Sequence, residues 1–303
     1  MSLTQFSLAP DRTSLVPVLK QILAINPSIK IMGSHWTAPS WIKSNNFSKG
    51  GTLQPQYYGA YARYFVKYIQ QMAAEGINVD TMTLQNELLN PYNEPSMLMS
   101  AAEQTDFFKN NVGPAFTTAG LGTKIIAYDH NPNRTDYLLA VLGDAAARPY
   151  VEGSTFHDYS GPLAAALAQV HDAYPAKGVY FTEFWTQAPG NMLTDFPNHV
   201  QELEIGATRN RAKNLLEWNL ASDAGYSPHT AGGCAGCLGA VTVSDNSVTR
   251  TPAYYTVAHP GKFVRPDLVR VDTNTPTNLP DVAFRTPAGK KVLLVLNSSS
   301  SPA

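Results

Sequence analysis

Short apolar runs alternate with longer amphipathic stretches along most of the chain. The apolar runs at 29–34 and 79–84 predict β-strands, since each is brief and bounded by polar residues. The stretch 56–75 predicts a long helix, because its Tyr, Phe and Met residues recur at three- and four-residue steps and form one core-facing side. Further strands are predicted at 124–127, 153–156, 178–182 and 215–220, and further helices at 14–25, 102–119, 137–142, 163–173, 200–214 and 253–263.

Strands that alternate with helices in this way are expected to be parallel, with helical crossovers between them. Each predicted strand ends in a polar or aromatic cluster, namely HW, QNE, YDHN, HDY, EFW or EWN. In a (β/α)-barrel the carboxyl ends of all strands converge on one active-site mouth, whereas a doubly wound sheet concentrates function at one switch point. The sequence therefore predicts an α/β fold, a (β/α)8 TIM barrel, over residues 1–263.

The pattern changes from Val264 onward. The segments LVRVD, DVAFRT and KKVLLVLN are short, partly alternating and separated by Pro, Asn and Gly. Such segments predict antiparallel strands joined by turns. We expect residues 264–303 to form a C-terminal antiparallel β module, part of a β-sandwich.

The composition argues against a nucleic-acid partner and against a transmembrane helix. Only 15% of the 303 residues are charged and the formal net charge is -1, so no basic surface is predicted that would bind nucleic acid. No apolar run approaches the ~20 residues that a transmembrane helix needs. The few charges and the many Ser, Thr, Asn and Tyr residues resemble an exported protein. We expect a secreted or extracytoplasmic protein whose signal peptide lies upstream of Met1.

The cysteines Cys234 and Cys237 form a C-x-x-C pattern in GGCAGC. Two thiols cannot complete a tetrahedral zinc site, and no thioredoxin-like strand–helix context surrounds them. A local disulfide and two plain thiols remain alternatives.

Two carboxylates at strand ends suggest the chemistry of the site. Glu87 follows Asn86, whose amide could bind a sugar hydroxyl, and Glu183 lies among apolar and aromatic residues, where a carboxylate needs a reason to be tolerated. Retaining glycoside hydrolases use such a pair, one carboxyl group as acid/base and the other as nucleophile. The plainer alternative is that both are salt-bridged acids at a barrel rim.

The chain resembles glycoside hydrolase family 30, which includes glucosylceramidases and β-1,6-glucanases. The matching segments, in family order, are HWTAPSWIK, QYYGAYARYFVKYIQ, TLQNE, FHDY, FTEFW, EWNLA, GGCAGCLGAVTV and YYTVAHPGKFVRP. The resemblance implies that Glu87 is the acid/base at the end of the fourth barrel strand. It implies that Glu183 is the nucleophile at the end of the seventh, and that the anomeric configuration is retained.

The same resemblance implies a sugar-binding subsite and a substrate. It assigns Trp36, His157, Tyr159 and Trp218 to the lining of the subsite, and Asp129 to a polar strand-end position. The expected substrate is a β-glucan, most of all β-1,6-glucan cleaved by an endo-acting enzyme, or a β-glucoside similar to glucosylceramide. The segment GGCAGCLGAVTV favours the β-1,6-glucanase branch.

No metal or other cofactor is predicted. His130, His157 and Asp129 lack the spacing of a two-His-one-carboxylate site, and no i, i+4 pair of histidines occurs. No strand end offers a Lys or a phosphate-binding glycine loop, as a barrel aldolase or isomerase would.

Two departures from the family pattern lead to further expectations. His35 stands where the family has Pro in Ser-Pro-Trp. It could serve the site, by tuning the acid or binding a sugar hydroxyl, or it could be a packed or solvated loop histidine. Nothing precedes the segment that resembles the family's second helix, so we expect an N-terminally truncated member with an incomplete barrel. The alternative function is then a catalytically impaired fragment that acts only as a carbohydrate-binding barrel.

Overall fold

The computed structural model describes residues 3–302, which form two compact units. The first unit runs to His130 and continues over Arg134–Thr155. The second comprises Asn131–Asn133 and the chain from Phe156 onward. No helix within residues 3–302 combines the length and the apolar character needed to cross a membrane.

Parallel strands organise the first unit. The strand β1 (Met32–Ser34) pairs in parallel with β2 (Thr81–Thr83), which pairs in parallel with β3 (Lys124–His130). The prediction of parallel strands at these three places is confirmed. The helices of the unit are α1 (Leu15–Ile25), α2 (Tyr58–Ala74), α3 (Ala101–Phe107), α4 (Gly113–Thr118) and α5 (Thr135–Gly143).

The core-facing side of α2 is the one that the aromatic spacing predicts. Tyr61 and Phe65 are 0% exposed, and Ile69 and Met72 continue the same side of the helix two turns further on. The Tyr61 ring stacks on Phe107 of α3, with ring centroids 5.7 Å apart. Burial of such rings contributes a large share of the hydrophobic stabilisation of this unit.

The single helix predicted at 102–119 is interrupted. After α3 the chain forms a π-helical turn at Phe108–Val112 before α4 begins. Pro114 has no N–H to continue the regular hydrogen-bond ladder. Gly113 also packs directly on Tyr150, since a Cβ at this position would lie 2.2 Å from that ring. The interruption therefore lets the helix pass close to a neighbouring aromatic ring.

The second unit holds the carboxyl end of β4 (Gly153–His157), the strand β5 (Gly178–Glu183) and three helices. The predicted helix at 200–214 is wrong in its bounds, because helical structure begins earlier and includes a π-helix that ends by residue 207. The helices are α6 (Leu163–Ala173), α7 (Asp195–His199), which runs directly into the π-helix Val200–Ala207, and α8 (Pro252–Phe263).

The strand predicted at 215–220 is not a regular strand. This segment runs beside β5, and the amides of Leu216 and Trp218 donate to the carbonyls of Phe181 and Phe184 at 3.2 and 2.7 Å. The ladder is broken because the side-chain oxygen of Asn214 accepts from the Phe181 amide at 3.1 Å. A side chain thus replaces the backbone carbonyl that a continuous ladder would use.

Two small sheets complete the second unit. The predicted antiparallel module is confirmed: strand β10 (Asp281–Arg285) pairs antiparallel with both β9 (Val269–Val271) and β11 (Lys291–Val295). It packs through Val282 and Phe284 against Val200 and Ile205 of the π-helix. A further sheet was not predicted, although its hairpin turns at Asp245, a residue type that favours tight turns. The strands are β6 (Ala221–Ser222), β7 (Val241–Ser244), β8 (Ser247–Arg250), β9 (Val269–Val271), β10 (Asp281–Arg285) and β11 (Lys291–Val295).

Candidate active site

In the first unit, Glu87 lies shortly after the end of β2 and is 6% exposed. Its Oε2 atom accepts hydrogen bonds from the side-chain amides of Asn90 and Asn93, at 2.7 and 2.6 Å. His130 Nδ1 lies 3.8 Å from the other carboxylate oxygen. The carboxylate is therefore buried and oriented by neutral donors on one oxygen.

The backbone around Glu87 is held in an unusual conformation. Glu87 has a φ of 43°, and Tyr128 and Asp129 at the end of β3 have φ of 82° and 80°. The Glu87 amide donates to the Asp129 carbonyl at 2.8 Å, and the Asn86 amide donates to the His35 carbonyl at 2.5 Å. Non-glycine residues in the left-handed region cost about 1–3 kcal/mol each and cluster at functional sites. The tertiary hydrogen bonds maintain this strained arrangement.

Asn86 offers a hydrogen-bond donor for a ligand. The residue is 4% exposed, and its Nδ2 atom has no hydrogen-bond partner within residues 3–302. A buried donor without an acceptor costs about 1–3 kcal/mol. This geometry suits an amide that a sugar hydroxyl satisfies on binding.

Asp129 is engaged with hydroxyl groups of neighbouring strands. The carboxylate is 1% exposed, and its Oδ2 atom lies 2.7 Å from Ser34 Oγ and 2.6 Å from Thr83 Oγ1. These contacts join the ends of β1, β2 and β3. They give Asp129 a part in shaping the strand ends of the first unit.

Trp36 and His35 follow β1 and differ in their surroundings. Trp36 is half-buried, and its carbonyl accepts from the Gln85 side chain at 2.7 Å. The His35 ring packs edge-on against Phe65, with centroids 4.4 Å apart, and against three tyrosine rings of α2. Burial lowers the pKa of His35 to about 4, so the ring is neutral at physiological pH. His35 is a packed histidine, the plainer of the two expectations.

In the second unit, Glu183 is the last residue of β5. The Tyr159 hydroxyl donates to its Oε1 atom at 3.0 Å, and His157 Nδ1 lies 3.7 Å from the same oxygen. His157 is fully buried, while Tyr159 is half-exposed. The predicted site residues Tyr159 and His157 thus both lie near one carboxylate oxygen of Glu183, the third.

Trp218 lies next to the strand end that carries Glu183. Its backbone bridges in parallel to Trp185, and its side chain remains 36% exposed. An exposed indole ring is a surface on which a sugar ring can stack. Next to Glu183, the Phe184 ring packs against the Tyr159 ring, with centroids 5.6 Å apart.

Cys234 and Cys237 are joined by a disulfide. The loop that they close pairs with the segment that follows β5. Gly236 O accepts from the Ala188 amide at 2.9 Å, and the Leu238 amide donates to Thr186 O at 3.0 Å. The disulfide therefore closes a loop that is hydrogen-bonded to residues 186–188, which follow Glu183 closely in sequence.

Asn90 and Asn93 were not among the predicted site residues. They lie three and six residues after Glu87 in NELLNPYN, a spacing that carries them back over the carboxylate in a turn. The Asn90 amide nitrogen of the backbone donates to the Glu87 carbonyl at 2.7 Å, which is the hydrogen bond of that turn. The repeated asparagines after Glu87 were the sequence feature from which these contacts could have been predicted.

Parallel strands with helical connections, and carboxylates at the strand ends, define a protein of the (β/α)-barrel class. The sequence model of the glycosyl hydrolase family 30 TIM-barrel domain matches residues 1–264, and that of the family's beta sandwich domain matches residues 269–303. The chain belongs to glycosyl hydrolase family 30.

Similar proteins carry two kinds of name. The chain is 36% identical to endo-1,6-beta-D-glucanase BGN16.3 of Trichoderma harzianum, over 86% of the chain and 55% of that protein. It is 27% identical to lysosomal acid glucosylceramidase of Mus musculus, over 98% of the chain and 62% of that protein. The solved endo-beta1,6-glucanase BT3312 is 36% identical with a TM-score of 0.93, over 98% of this chain and 69% of the other. The chain thus spans little more than half the length of the first of these relatives.

Proposed function

We propose that the protein is a retaining β-glycosidase that hydrolyses β-glucosidic bonds, with β-1,6-glucan as its substrate and endo-cleavage as its mode. Membership of family 30 and the two strand-end carboxylates support the reaction class. The observation that carries the proposal is the setting of Glu183 at the end of β5, since the Tyr159 hydroxyl donates to its Oε1 atom at 3.0 Å and His157 Nδ1 lies 3.7 Å from the same oxygen.

In the first step Glu183 attacks the anomeric carbon while Glu87 gives its proton to the glycosidic oxygen. The bond between the anomeric carbon and that oxygen breaks, the leaving sugar departs as an alcohol, and a glycosyl ester forms on Glu183. Asn86 holds a neighbouring hydroxyl of the sugar. Trp36 and Trp218 provide faces for stacking, and Asp129 maintains the polar strand end.

In the second step a water molecule attacks the same carbon. Glu87, now a carboxylate, takes a proton from the water, and the ester bond breaks to release Glu183. The Asn90 and Asn93 amides stabilise the carboxylate form of Glu87 that acts as base. Two inversions leave the product with the β-configuration of the substrate.

The names of the relatives favour β-1,6-glucan over other β-glucosides. Endo-1,6-beta-D-glucanases of two further fungi, Aspergillus fumigatus and Neurospora crassa, are 34% and 35% identical to the chain. The glucosylceramidases are 25–27% identical. Hydrolysis of glucosylceramide, and with it a place in sphingolipid metabolism, is the second candidate function.

The test compares substrates and follows the first product. Purified protein is incubated with linear β-1,6-glucan, β-1,3-glucan and glucosylceramide in mixed micelles, and proton NMR records the anomer that appears first. We expect the β-anomer from β-1,6-glucan. Replacement Glu183→Gln should lower turnover by at least about 10³-fold without unfolding the protein. The exposed control Glu202→Gln should leave turnover unchanged.

Substrates of different leaving-group quality test the role of Glu87. Glu87→Ala should slow cleavage of the glucan far more than cleavage of aryl glucosides, whose leaving groups need no proton. Initial appearance of the α-anomer would exclude double displacement. Glucan binding without any turnover would instead favour the alternative of a carbohydrate-binding barrel.

We also propose a domain division and a location for the protein. Residues 1–263 would carry the catalytic barrel and residues 264–303 a partial β-sandwich module. The disulfide between Cys234 and Cys237 supports export, because disulfides persist in oxidising compartments. Detection of the native protein in culture medium would test the location.

A further inference from the structure

Residues 236–241, here called the linking segment, begin within the disulfide loop and pair with the continuation of β5. The Ala188 amide donates to Gly236 O at 2.9 Å, and the Leu238 amide donates to Thr186 O at 3.0 Å. These two hydrogen bonds lie on either side of the second cysteine of the disulfide, which is 7% exposed. The disulfide is thus attached directly to this backbone pairing.

The linking segment also pairs with the stretch that follows Trp218. The Ala240 amide donates to Asn219 O at 2.8 Å, and the Val241 amide donates to Leu220 O at 3.2 Å. From there the pairing continues as the parallel strands β6 and β7. One short stretch of backbone therefore joins the continuation of β5 to the stretch that carries Trp218.

The close approach on this second side requires a glycine in the linking segment. A Cβ at Gly239 would lie 2.5 Å from the backbone nitrogen of Ser222 and 2.7 Å from the carbonyl carbon of Ala221. A paired backbone cannot move aside as the end of a flexible side chain can. Any side chain at this position would therefore push the linking segment away from β6.

Trp185 and Trp218 lie opposite each other in the two stretches that are joined. Their backbones form a parallel bridge, and the Trp218 amide donates to Phe184 O at 2.7 Å. The next residues along, Thr186 and Asn219, each have a buried side-chain oxygen without a hydrogen-bond partner within residues 3–302. Because buried polar groups without partners favour hydration and separation, this pairing depends on other contacts that hold it together.

The disulfide restricts the glycine-rich loop that leads into the linking segment. The sequence GGCAGC contains three glycines in six residues. Glycine backbones have wide conformational freedom, and a cross-link removes part of that freedom. Cys234 is half-buried and Ala235 is exposed, so the loop meets solvent at this end.

We propose that Cys234 and Cys237 are positioning residues of the sugar-binding site: their disulfide fixes the linking segment, which in turn holds the Trp218 ring in place for stacking on the substrate. The part that concerns the sugar rests on the proposed function. A dithiol would break the S–S bond, because its two protons and two electrons pass to the protein sulfurs, leaving two thiols in the protein and a cyclic disulfide in the reagent. Reduction would free the glycine-rich loop and loosen the stretch that carries Trp218.

The primary experiment measures acrylamide quenching of tryptophan fluorescence in the oxidised protein and in the protein reduced with dithiothreitol. We expect the quenching constant of Trp218, obtained by subtraction of Trp218→Phe, to rise about twofold on reduction, since local opening exposes the ring to the quencher. The double variant Cys234→Ala, Cys237→Ala should show the raised value with and without the reductant. The chain has two cysteines in all, so this variant gives the effect of the reagent alone.

Gly239→Ala disturbs the linking segment while the disulfide stays intact. We expect it to raise the quenching constant of Trp218 as reduction does, because the added Cβ meets the backbone of Ser222. The matched control is Gly261→Ala, where a Cβ would meet nothing within 4 Å, and it should behave as the native sequence does. An unchanged quenching constant, either on reduction or in folded Gly239→Ala, would overturn the proposal. Since these signals need no substrate, they test the positioning of Trp218 even if the proposed glycosidase activity is not found.

Kinetics with linear β-1,6-glucan distinguish positioning from plain stability. Loss of the disulfide should raise KM by about 5- to 10-fold, the size of a lost aromatic stacking contact, and change kcat little. In a Trp218→Ala background the same loss should have no further effect on KM, because the ring that the disulfide positions is already gone. A lower Tm with an unchanged KM in the folded protein would assign the disulfide to structure alone and contradict the proposal.

Discussion

At the scale of single residues, one hydroxyl group orients the proposed nucleophile. Tyr159 donates to Glu183 Oε1 at 3.0 Å, and its side chain is 37% exposed, so its removal should cost little stability. A hydrogen bond to a charged group contributes about 1.5–3 kcal/mol, and we therefore expect Tyr159→Phe to lower kcat by about 10- to 100-fold. Steady-state kinetics with an aryl β-glucoside measure this effect.

A matched tyrosine supplies the control for that measurement. Tyr92 is 78% exposed, and Tyr92→Phe should leave kcat unchanged. Equal kcat values for Tyr159→Phe and the native sequence would show that Glu183 does not depend on this hydroxyl group. A large drop in Tm for Tyr159→Phe would assign the residue to packing instead.

At the scale of elements, a buried lysine fixes the loop that follows Trp36. Lys43 is 1% exposed, and its Nζ atom donates to Thr37 Oγ1, Ser48 O and Ser96 O at 2.8, 2.9 and 2.7 Å. Burial lowers its pKa to about 8. Lys43→Met would leave these acceptors without their donor, and we expect a loss of about 2–3 kcal/mol.

Hydrogen exchange locates the effect of Lys43→Met. Faster exchange should be confined to residues 37–51 and the segment near Ser96, because those are the backbone groups that Lys43 joins. The control is Lys30→Met, since Lys30 is exposed and its ion pair with Asp80 lies on the surface. Protection of the loop equal to that of the native sequence would contradict the proposed clamp.

At the scale of the whole molecule, one arginine ties the C-terminal module to the helical part of the second unit. Arg209 Nη1 donates to Thr273 Oγ1 and to Asp281 O at 2.8 and 2.7 Å, and lies 3.3 Å from Asp281 Oδ1. Asp281 is buried and also accepts from the Thr273 hydroxyl. Arg209→Gln should destabilise the protein by about 2 kcal/mol, since charge-assisted hydrogen bonds are lost.

Limited proteolysis and a thermal melt check the prediction for Arg209. We expect earlier cleavage after residue 264 in Arg209→Gln, and only partial rescue by Arg209→Lys, because an ammonium group cannot form the same forked contacts. The exposed control Arg285→Gln should behave as the native sequence does. If cleavage is equally slow in all three variants, the apolar contacts of Phe284 suffice to hold the module.

Sequence-based prediction succeeded for features that depend on local pattern and failed for features that depend on contacts formed only in the folded protein. The aromatic face of α2 and the parallel strands β1 to β3 were predictable, because period and composition are local properties that packing reinforces. The segment 215–220 was not, since the side chain of Asn214 replaces a ladder carbonyl in the structure. The break between α3 and α4 lies where Gly113 packs against Tyr150, a residue that is distant in sequence.

The sequence by itself determined the alternation of strands and helices, the antiparallel module after Val264 and the positions of Glu87 and Glu183 at strand ends. These follow from hydrophobic period and from the polar residues that end each apolar run. Only the tertiary structure decided which groups meet each carboxylate: Asn90 and Asn93 on Glu87, and Tyr159 on Glu183. It alone revealed that Glu204 is buried without a hydrogen-bond partner within residues 3–302, because burial and hydrogen-bond satisfaction depend on neighbours that the chain brings together only on folding.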